Sequence, residues 1–506
     1  MPETLAVQPY DVHNQLLVSN VHPPDWNSPE PVGRYNLVVL GAGTAGLVSA
    51  AGAAGLGARV ALVEREFMGG DCLNVGCVPS KALIRASRAI AEVKGAGDYG
   101  IEVPQGGRVN FPAVMERMRR LRAALSPTDS ATRFRDLGVD VFFGDAHFTG
   151  PDAVEVGRRV LRFRRAVIAT GARAERPDIP GLADAGFLTN ETVFTLTDLP
   201  PRLAVIGAGP IGCELAQAFA RFGARVWLLG NREQIMPREE PDAARIVENE
   251  MRSDGVNLVL GCKVVRVARE GTDKVLYLEC GGQPTEVRAD AILVGIGRVP
   301  NVQGLDLEKA GVAYHEHEGV QVNDRLQTTN PRIFSAGDIC SRFKFTHAAD
   351  AMARVVLQNA LFFGRAKASA LVIPWCTYTD PEVAHVGLYE AEAKARGIDV
   401  RTFTEPMARV DRAVLDGDTD GFVKIHVRAG SDRIVGATVV ARHAGEMISE
   451  LTLALASGLG LGALARTIHP YPTQAEAIKR VADAYNRTRL TPFVKGLFQR
   501  WLAWMR

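Results

Sequence analysis

The chain has 506 residues, of which 47% are hydrophobic and 23% charged, an ordinary composition for a globular protein of several domains. Its formal net charge of +2, with no basic block, excludes an electrostatic surface for nucleic acid. The N-terminus lacks the pattern of a signal peptide, and no run of about 18 apolar residues would span a membrane. We therefore expect a cytoplasmic protein, in which a close cysteine pair is more often catalytic or metal-binding than structural.

Two segments of similar pattern each predict a strand, a glycine-rich turn, a helix and a second strand. They cover residues 35–66 and 201–233. The G-x-G-x-x-G spacing is formed by Gly41, Gly43 and Gly46 in the first segment and by Gly207, Gly209 and Gly212 in the second. Because each turn follows an apolar β-branched run and opens a helix, the pattern favours two dinucleotide sites over simple structural turns.

The two segments differ where their second strands end. The first ends in Glu64, 23 residues after Gly41, where a carboxylate can accept hydrogen bonds from an unphosphorylated ribose. The second has Gly230 at this place, followed by Asn231 and Arg232. The missing acid and the nearby arginine would accommodate a 2′-phosphate and slightly favour NADPH over NADH. Arg232 is explained equally well as a solvated surface charge.

Cys72 and Cys77 lie five positions apart in GGDCLNVGCVPSK, residues 69–81. Side chains with this spacing diverge by roughly 140° in a regular helix, so a disulfide between them would need a bulge or break at residues 74–76. Such a bridge would be easily reduced, which favours a redox role over a structural one. A zinc site is the weaker alternative, since no second ligand pair is evident. The remaining cysteines are expected to be small buried hydrophobic residues: Cys213, Cys262, Cys280, Cys340 and Cys376.

The cysteine segment is one of several motifs that follow one another along the chain. The others are AVIATGA (166–172), the second nucleotide segment, ILVGIGRVPN (292–301), IFSAGDIC (333–340), TDPEVAHVG (379–387) and HPYPTQAE (469–476). Over about residues 35–485 the chain thereby resembles the flavin-dependent pyridine nucleotide–disulfide oxidoreductases, the family of glutathione reductase, dihydrolipoamide dehydrogenase and mercuric reductase. The resemblance implies an α/β fold with two Rossmann-like nucleotide-binding domains and a C-terminal α+β dimerisation domain.

The resemblance also implies roles for particular residues. The first segment would bind FAD and the second NAD(P)H, and electrons would pass from NAD(P)H through FAD to a Cys72–Cys77 disulfide. Cys77 would face the flavin, and Cys72 would exchange with a small disulfide or a soft metal ion. Lys81 and Glu214 match an ion pair beside the flavin, although Glu214 could be an ordinary helix residue. The further cofactor-binding positions are Gly70, Asp71, Ala146, Thr170, Gly171, Gly297, Thr346 and Asp338, the last on the ribityl chain.

The C-terminal motif separates the members of this family. Disulfide reductases carry His-Pro-Thr-x-x-Glu, whereas Tyr471 takes the place of the histidine here, as in mercuric reductase, and Glu476 is kept. A phenol titrates at about pH 10, so thiol–disulfide turnover should be impaired at neutral pH. His469 could substitute as the base, with a structural loop histidine as the favoured interpretation. The prediction is a mercuric reductase-like enzyme, with dihydrolipoamide dehydrogenase as the alternative; the cysteine pair that delivers Hg(II) in mercuric reductase has no counterpart after Cys376.

The order of the motifs sets the predicted domain limits. They are an N-terminal extension at 1–34, FAD-binding segments at 35–185 and 304–371, an NAD(P)-binding domain at 186–303, a dimerisation domain at 372–485 and an amphipathic tail at 486–506. In the family the C-terminal motif completes the active site of the partner subunit, so we expect a homodimer.

The tail predicts an amphipathic helix over residues 491–506. One face carries Val494, Leu497, Phe498, Trp501 and Met505, and charge comes from Lys495, Arg500 and Arg506. Two tryptophans among basic residues suit a peripheral membrane contact, with packing against the enzyme's own dimer as the favoured alternative. A membrane contact would also suit an electron-transfer flavoprotein that reduces a quinone.

Overall fold

The structure is a computed structural model that describes residues 7–103 and 107–506. These residues form two compact units. The first unit comprises the described residues up to Glu233 together with Gly255–Leu371, and the second comprises Gln234–Asp254 and Val372–Arg506. The separation of the first unit into FAD-binding and NAD(P)-binding domains remains a prediction.

The helices of the described residues follow one another along both units. They are α1 (Val12–Val21), α2 (Thr44–Gly55), α3 (Gly70–Asn74), α4 (Cys77–Lys94), α5 (Phe111–Leu125), α6 (Ala131–Asp136), α7 (Leu182–Ala185), α8 (Pro210–Phe222), α9 (Pro241–Ser253), α10 (Thr346–Leu361), α11 (Glu390–Ala395), α12 (Asp411–Asp416), α13 (Ala444–Ala456), α14 (Leu461–Arg466), α15 (Glu476–Thr488) and α16 (Pro492–Trp504).

The strands alternate with these helices. They are β1 (Arg34–Leu40), β2 (Val60–Glu64), β3 (Val139–Phe143), β4 (Ala146–Gly150), β5 (Ala153–Val156), β6 (Arg159–Ile168), β7 (Ala172–Ala174), β8 (Arg202–Ile206), β9 (Arg225–Leu229), β10 (Val256–Val259), β11 (Cys262–Glu270), β12 (Asp273–Cys280), β13 (Gln283–Ala289), β14 (Ala291–Val294), β15 (Arg298–Pro300), β16 (Tyr314–His315), β17 (Gly319–Val320), β18 (Ile333–Ser335), β19 (Trp375–Thr377), β20 (Glu382–Gly387), β21 (Val400–Pro406), β22 (Phe422–Arg428) and β23 (Ile434–Ala441).

The first unit is built on two sheets with parallel cores. In the larger sheet β3, β2, β1 and β6 lie side by side and parallel, β18 pairs in parallel with the end of β6, and β5 and β4 continue antiparallel from its start. In the smaller sheet β10, β9, β8 and β14 are all parallel. Leu37–Leu40 of β1 are all buried, as expected for a parallel core strand covered on both faces. The units β1–α2–β2 and β8–α8–β9 confirm the two predicted nucleotide-binding segments, and the α/β fold class is confirmed.

The N-terminal extension contains helix α1, which was not predicted from the sequence. Asp11 caps α1 by accepting hydrogen bonds from the backbone N–H groups of His13 and Asn14. The buried positions of α1 are Asn14, Leu17, Val18 and Val21, and they face α5. This i, i+3, i+4, i+7 spacing is helical, but a polar residue occupies its first position, so the apolar pattern alone does not reveal the helix.

Two of the cysteines correct the sequence prediction. Cys262 and Cys280 face each other across β11 and β12 and form a disulfide, with their Cα atoms 4.3 Å apart. The expectation that both are merely small hydrophobic residues is therefore wrong, because strand pairing brings together two residues that are 18 positions apart in the sequence. Cys213 is fully buried as expected, whereas Cys340 and Cys376 are half-buried.

The second unit contains a five-stranded antiparallel sheet in the order β19-β20-β23-β22-β21. Helix α13 packs against β20 and β23, α15 packs against β21 and β22, and α14 packs against α15. The predicted tail helix is present as α16, and none of its residues is buried. Within residues 7–103 and 107–506, no helix combines the length and the apolar character that are needed to cross a membrane.

Candidate active site

The first glycine turn connects β1 to α2. Gly41 has a φ of +96°, and a Cβ there would lie 2.5 Å from the carbonyl oxygen of Ala169. A Cβ at Gly46 would collide with the carbonyl oxygen of Gly41. Glu64 accepts a 2.7 Å hydrogen bond from the N–H of Ala42, and burial raises the pKa of its carboxyl group. The predicted glycines and acid thus meet at the N-terminus of α2, where a dinucleotide phosphate fits.

The second glycine turn repeats this geometry between β8 and α8. Gly207 has a φ of +112°, and a Cβ at Gly212 would collide with its carbonyl oxygen. Open space surrounds the missing side chain of Gly209. Asn231 and Arg232 are exposed beyond the end of β9, and the carbonyl oxygen of Arg232 accepts a 2.8 Å hydrogen bond from Gly261.

The cysteine segment lies against the first glycine turn. Gly69 donates a 2.9 Å hydrogen bond to the carbonyl oxygen of Ala42, and a Cβ at Gly70 would lie 2.7 Å from the Cα of Gly43. Helix α3 ends at Asn74 and α4 begins at Cys77, so the helical path is interrupted between the two cysteines, where a break was predicted.

Cys72 and Cys77 are free thiols that lie close enough for each to shift the pKa of the other. Hydrogen bonding from Cys72 is the largest of the effects that lower the pKa of Cys77, to about 6; Thr346, 3.6 Å away, and the charge of Lys81 add to it. The same contact raises the pKa of Cys72. The pair therefore favours a thiolate at Cys77 and a protonated thiol at Cys72.

An ion pair lies close enough to Cys77 to act on the pKa of its thiol. Lys81 on α4 donates to Glu214 on α8 with an Nζ–Oε2 distance of 2.8 Å, and the Glu214 side chain is 6% exposed. The structure thus brings together the two residues that the sequence pairs. Among the described residues, no group of three or more His, Cys, Asp or Glu side chains is arranged to hold a metal ion.

Arg298 is a site residue that was not identified from the sequence. Its guanidinium group contacts the carboxylate of Asp71, and its Nε lies 3.5 Å from Oδ2 of Asp338. Burial raises the pKa of Asp338, and Lys344 donates to its carbonyl oxygen. The arginine directly follows Gly297 in ILVGIGRVPN, so a charged residue inside this apolar motif was the available signal.

The other predicted cofactor positions lie near these elements. Thr170 donates its hydroxyl hydrogen to the carbonyl oxygen of Asn301, and the N–H of Asn301 donates to the carbonyl oxygen of Gly171. Gly297 accepts a 3.0 Å hydrogen bond from the N–H of Glu175. Ala146 begins β4, opposite Val156.

The C-terminal motif belongs to the second unit. Tyr471, whose side chain is 71% exposed, donates a 2.9 Å hydrogen bond to Asp411, which raises the pKa of its phenol. Glu476 accepts a hydrogen bond from Arg480. His469 lies 3.0 Å from the carboxylate of Glu450, a contact that the sequence did not predict.

The fold and the site together define a dinucleotide-dependent thiol oxidoreductase. At both glycine turns the first and third glycines pack against backbone too closely for a Cβ, which lets the strand and the helix N-terminus approach each other, and the cysteine segment adjoins the first turn. The residues present therefore fit two dinucleotides.

Comparison with known proteins identifies the family. Residues 35–353 match the family model described as pyridine nucleotide-disulphide oxidoreductase, and residues 373–482 match its dimerisation domain. The chain belongs to this family and is an FAD-dependent enzyme that uses a pyridine nucleotide, and the dimerisation domain supports a homodimer.

Three relatives illustrate the similarity. A mercuric reductase of Staphylococcus aureus is 33% identical over 455 residues, which cover 90% of this chain and 83% of the relative. A dihydrolipoyl dehydrogenase of Thermus scotoductus is 33% identical over 464 residues, which cover 90% of this chain and 98% of the relative. The HOCl-induced flavoprotein disulfide reductase RclA of Escherichia coli, solved as a Cu(II) complex, superimposes with a TM-score of 0.80 at 27% identity, covering 90% and 100%. Nothing in these matches supports a quinone-reducing flavoprotein.

Proposed function

We propose that Cys72 and Cys77 are the redox-active pair of this enzyme and that the pair reduces a soft metal ion or a small disulfide. The observation that carries the proposal is the placement of the two cysteines on either side of the break between α3 and α4, in a segment that packs against the first glycine turn. FAD, which supplies two-electron transfer between a nicotinamide and sulfur, would be held by the turn at Gly41 and by Asp338.

The two sulfurs have different tasks. Cys77 is kept as a thiolate by Cys72, Thr346 and Lys81, and Cys72 exchanges with the substrate. With a disulfide, the sulfur of Cys72 attacks one substrate sulfur and expels the first thiol. Cys77 then attacks the sulfur of Cys72, which expels the second thiol and closes the Cys72–Cys77 disulfide. NAD(P)H and one proton restore the dithiol, so that each substrate disulfide yields two thiols and one NAD(P)⁺.

Loss of the Cys72 proton decides which substrate is preferred. The pKa of Cys72 is raised, and the contact with Asp411 raises the pKa of Tyr471, so this phenol is a poor base at neutral pH. A soft metal ion displaces thiol protons by itself when it binds. We therefore propose a soft metal ion as the better substrate, of the kind for which the mercuric reductase relatives are named. Hg(II) would take both electrons of NAD(P)H and leave elemental mercury, NAD(P)⁺ and a proton.

A substrate screen tests this function. The purified enzyme is assayed with NADH and NADPH against Hg(II), lipoamide and glutathione disulfide. We expect the Hg(II) rate at pH 7 to exceed the disulfide rates, and C72S and C77S to abolish all of them. C376S, which changes a half-buried cysteine outside the pair, serves as the matched control. Substrate reduction that persists in C72S would overturn the assignment of the pair.

We also propose a preference for NADPH. It is supported by Gly230, which takes the place of a ribose-binding acid, and by the exposed side chains of Asn231 and Arg232. R232A should lower the ratio of kcat/KM for NADPH over NADH by about tenfold, because Arg232 would pair with the 2′-phosphate. R269A removes another exposed arginine and should leave the ratio unchanged. A wild-type preference for NADH would contradict the proposal.

For the tail we propose a peripheral contact with an anionic lipid surface. Phe493 and Trp504 of α16 are 81% and 77% exposed. Five basic residues and no acidic residue lie within residues 484–506, so the charge of the tail complements anionic headgroups.

Vesicle co-sedimentation tests the tail. The full chain and a 1–490 truncation are mixed with vesicles of anionic or of zwitterionic phospholipid. Only the full chain with anionic vesicles should pellet, and W501A/W504A should weaken the binding. Equal pelleting of both proteins would overturn the proposal, as would a truncation that fails to dimerise, since the helix would then belong to the dimer.

A further inference from the structure

Helix α1 is linked to the cysteine segment in two ways, through the residue that precedes the segment and through Arg122 of α5. The carbonyl oxygen of Val21 accepts a 3.1 Å hydrogen bond from the N–H of Met68, just before the segment. Asn14 accepts a 2.7 Å hydrogen bond from Arg122 on α5, and Arg122 also donates a 2.6 Å hydrogen bond to the carbonyl oxygen of Asn74. Asn74 lies between Cys72 and Cys77. Residues 12–21 precede the family match, so this support is an addition to the shared domain.

The contact is buried and costly to maintain. The side chain of Asn14 is fully buried and that of Arg122 is 3% exposed. Burial lowers the pKa of Arg122 to about 10, and its Nε has no hydrogen-bond partner among the described residues. The nearby Asp11 is engaged instead by Arg119, at 2.5 Å. The two hydrogen-bond partners of this buried guanidinium are an amide oxygen and a main-chain carbonyl, so ion pairing contributes little to its stability. We therefore look for its role in the groups that it holds in place.

What Arg122 holds is the end of α3. The last carbonyl groups of a helix lack partners within the helix, and the carbonyl of Asn74 is one of them. Arg122 fixes this carbonyl between the two cysteines, and Asn14 fixes the orientation of the guanidinium group. Two thiols held in contact have a far higher effective concentration toward each other than two on a loose loop.

We propose that Arg122, oriented by Asn14 of α1, is a positioning residue that keeps Cys72 and Cys77 close to each other. The inference rests on the proposed role of the pair. The N-terminal extension thereby sets how readily the disulfide closes after each turnover.

The reduction potential of the pair tests this inference. The holoenzyme is equilibrated with glutathione buffers, the thiols are trapped by alkylation, and Cys72 and Cys77 are quantified by peptide mass spectrometry. N14A and R122M should lower the equilibrium constant for closing the disulfide by about tenfold, which raises the potential by about 30 mV. N14D, which keeps the oxygen that accepts from Arg122, should restore the wild-type value.

A matched control separates positioning from general loosening of the helix. Asn20 is also on α1, and its side-chain amide donates a hydrogen bond to the hydroxyl of Ser126, so N20A makes the same chemical change away from the cysteine segment. A potential in N14A equal to that of N20A would overturn the inference while leaving the proposed function intact. Full substrate reduction in C72S would instead overturn the proposed function. If R122M does not fold, N14A and N14D decide the outcome.

Discussion

At the scale of single residues, two opposite charges act on the pKa of the Cys77 thiol. Lys81 lowers its pKa and Glu214 raises it, and these two side chains pair with each other. The ion pair therefore does more than join α4 to α8. Together with the larger effect of Cys72, it contributes to the pH at which Cys77 carries a negative charge, because the stability of a thiolate depends on the charges around it.

Substitutions of Lys81 and Glu214 should shift the pKa of Cys77 in opposite directions. K81M should raise the pH midpoint of Cys77 alkylation by about one unit, and E214Q should lower it. The rate of iodoacetamide modification is measured against pH on the reduced enzyme, with Cys77 identified by peptide mapping. Shifts of the same sign in both variants would show that the substitutions act through the fold and not through charge.

We expect Tyr471 to limit disulfide turnover, because a phenol is a poor proton acceptor at neutral pH. Y471H places an imidazole there, and we expect kcat/KM for lipoamide at pH 7 to rise by about 100-fold. Y471F should leave the disulfide rate near that of the wild type. Steady-state kinetics measure the effect, and an unchanged rate in Y471H would refute the idea that a missing base limits the reaction.

At the scale of elements, a buried polar cluster fastens the segment before α9 within the second unit. Glu239 accepts hydrogen bonds from Trp375 at 2.9 Å and from Tyr389 at 2.5 Å. Lys424 of β22 donates to Glu240 at 2.9 Å, and it also pairs with Asp242. These contacts join residues 234–254 to a sheet that begins much later in the chain, at Trp375.

The cluster predicts a pH dependence of stability. Burial alone would raise the pKa of Glu240, but the contact with His426 and the hydrogen bond from Lys424 outweigh it and lower this pKa to about 2. A lowered native pKa stabilises the fold above about pH 4.3, and the contribution is lost as the pH falls from there toward about 2. E240Q should therefore unfold more easily than the wild type at pH 7, by about 2 kcal/mol, and the difference should shrink in acid. Urea unfolding between pH 7 and pH 3 measures it, and a pH-independent difference would contradict the assignment.

The disulfide between β11 and β12 is a second element-scale contact. It closes a loop whose ends are 18 residues apart, so C262S/C280S should lower the free energy of unfolding by about 3 kcal/mol. Thermal unfolding is compared with and without reductant. Reductant should lower the Tm of the wild type but not that of the double variant, and equal behaviour of both proteins would show that the bond is not formed.

At the scale of the whole molecule, the dimerisation domain carries the C-terminal motif while the cysteines lie in the other unit. The family resemblance places this motif at the active site of the partner subunit. C72S/Y471H should be inactive alone, but mixed dimers with the wild type should gain disulfide reductase activity, because the imidazole introduced at position 471 of one subunit would serve Cys72 of the other. Subunit exchange followed by lipoamide assays tests this, and mixed dimers no more active than the wild type would contradict it.

The nucleotide-binding and thiol elements could be predicted because their signals are local. Gly41 and Gly207 could be recognised from the spacing of the glycines in the sequence. Glycine is needed at both positions because neighbouring backbone lies too close for a side chain. The break between Cys72 and Cys77 follows from helical geometry. Arg298, α1 and the Cys262–Cys280 bond escaped prediction because their partners are distant in sequence, and a short window does not contain them.

The sequence by itself therefore determined the chemistry of this protein, namely two dinucleotide turns and a thiol pair, because each is encoded by residues within a single turn or helix. Only the tertiary structure decided the surroundings of that chemistry. These are the charges that act on Cys77, the guanidinium group that donates to the carbonyl of Asn74 and the ion pairs at the start of α9. The physical reason is that pKa values and buried hydrogen bonds depend on which distant side chains share the interior, and chain folding alone brings them together.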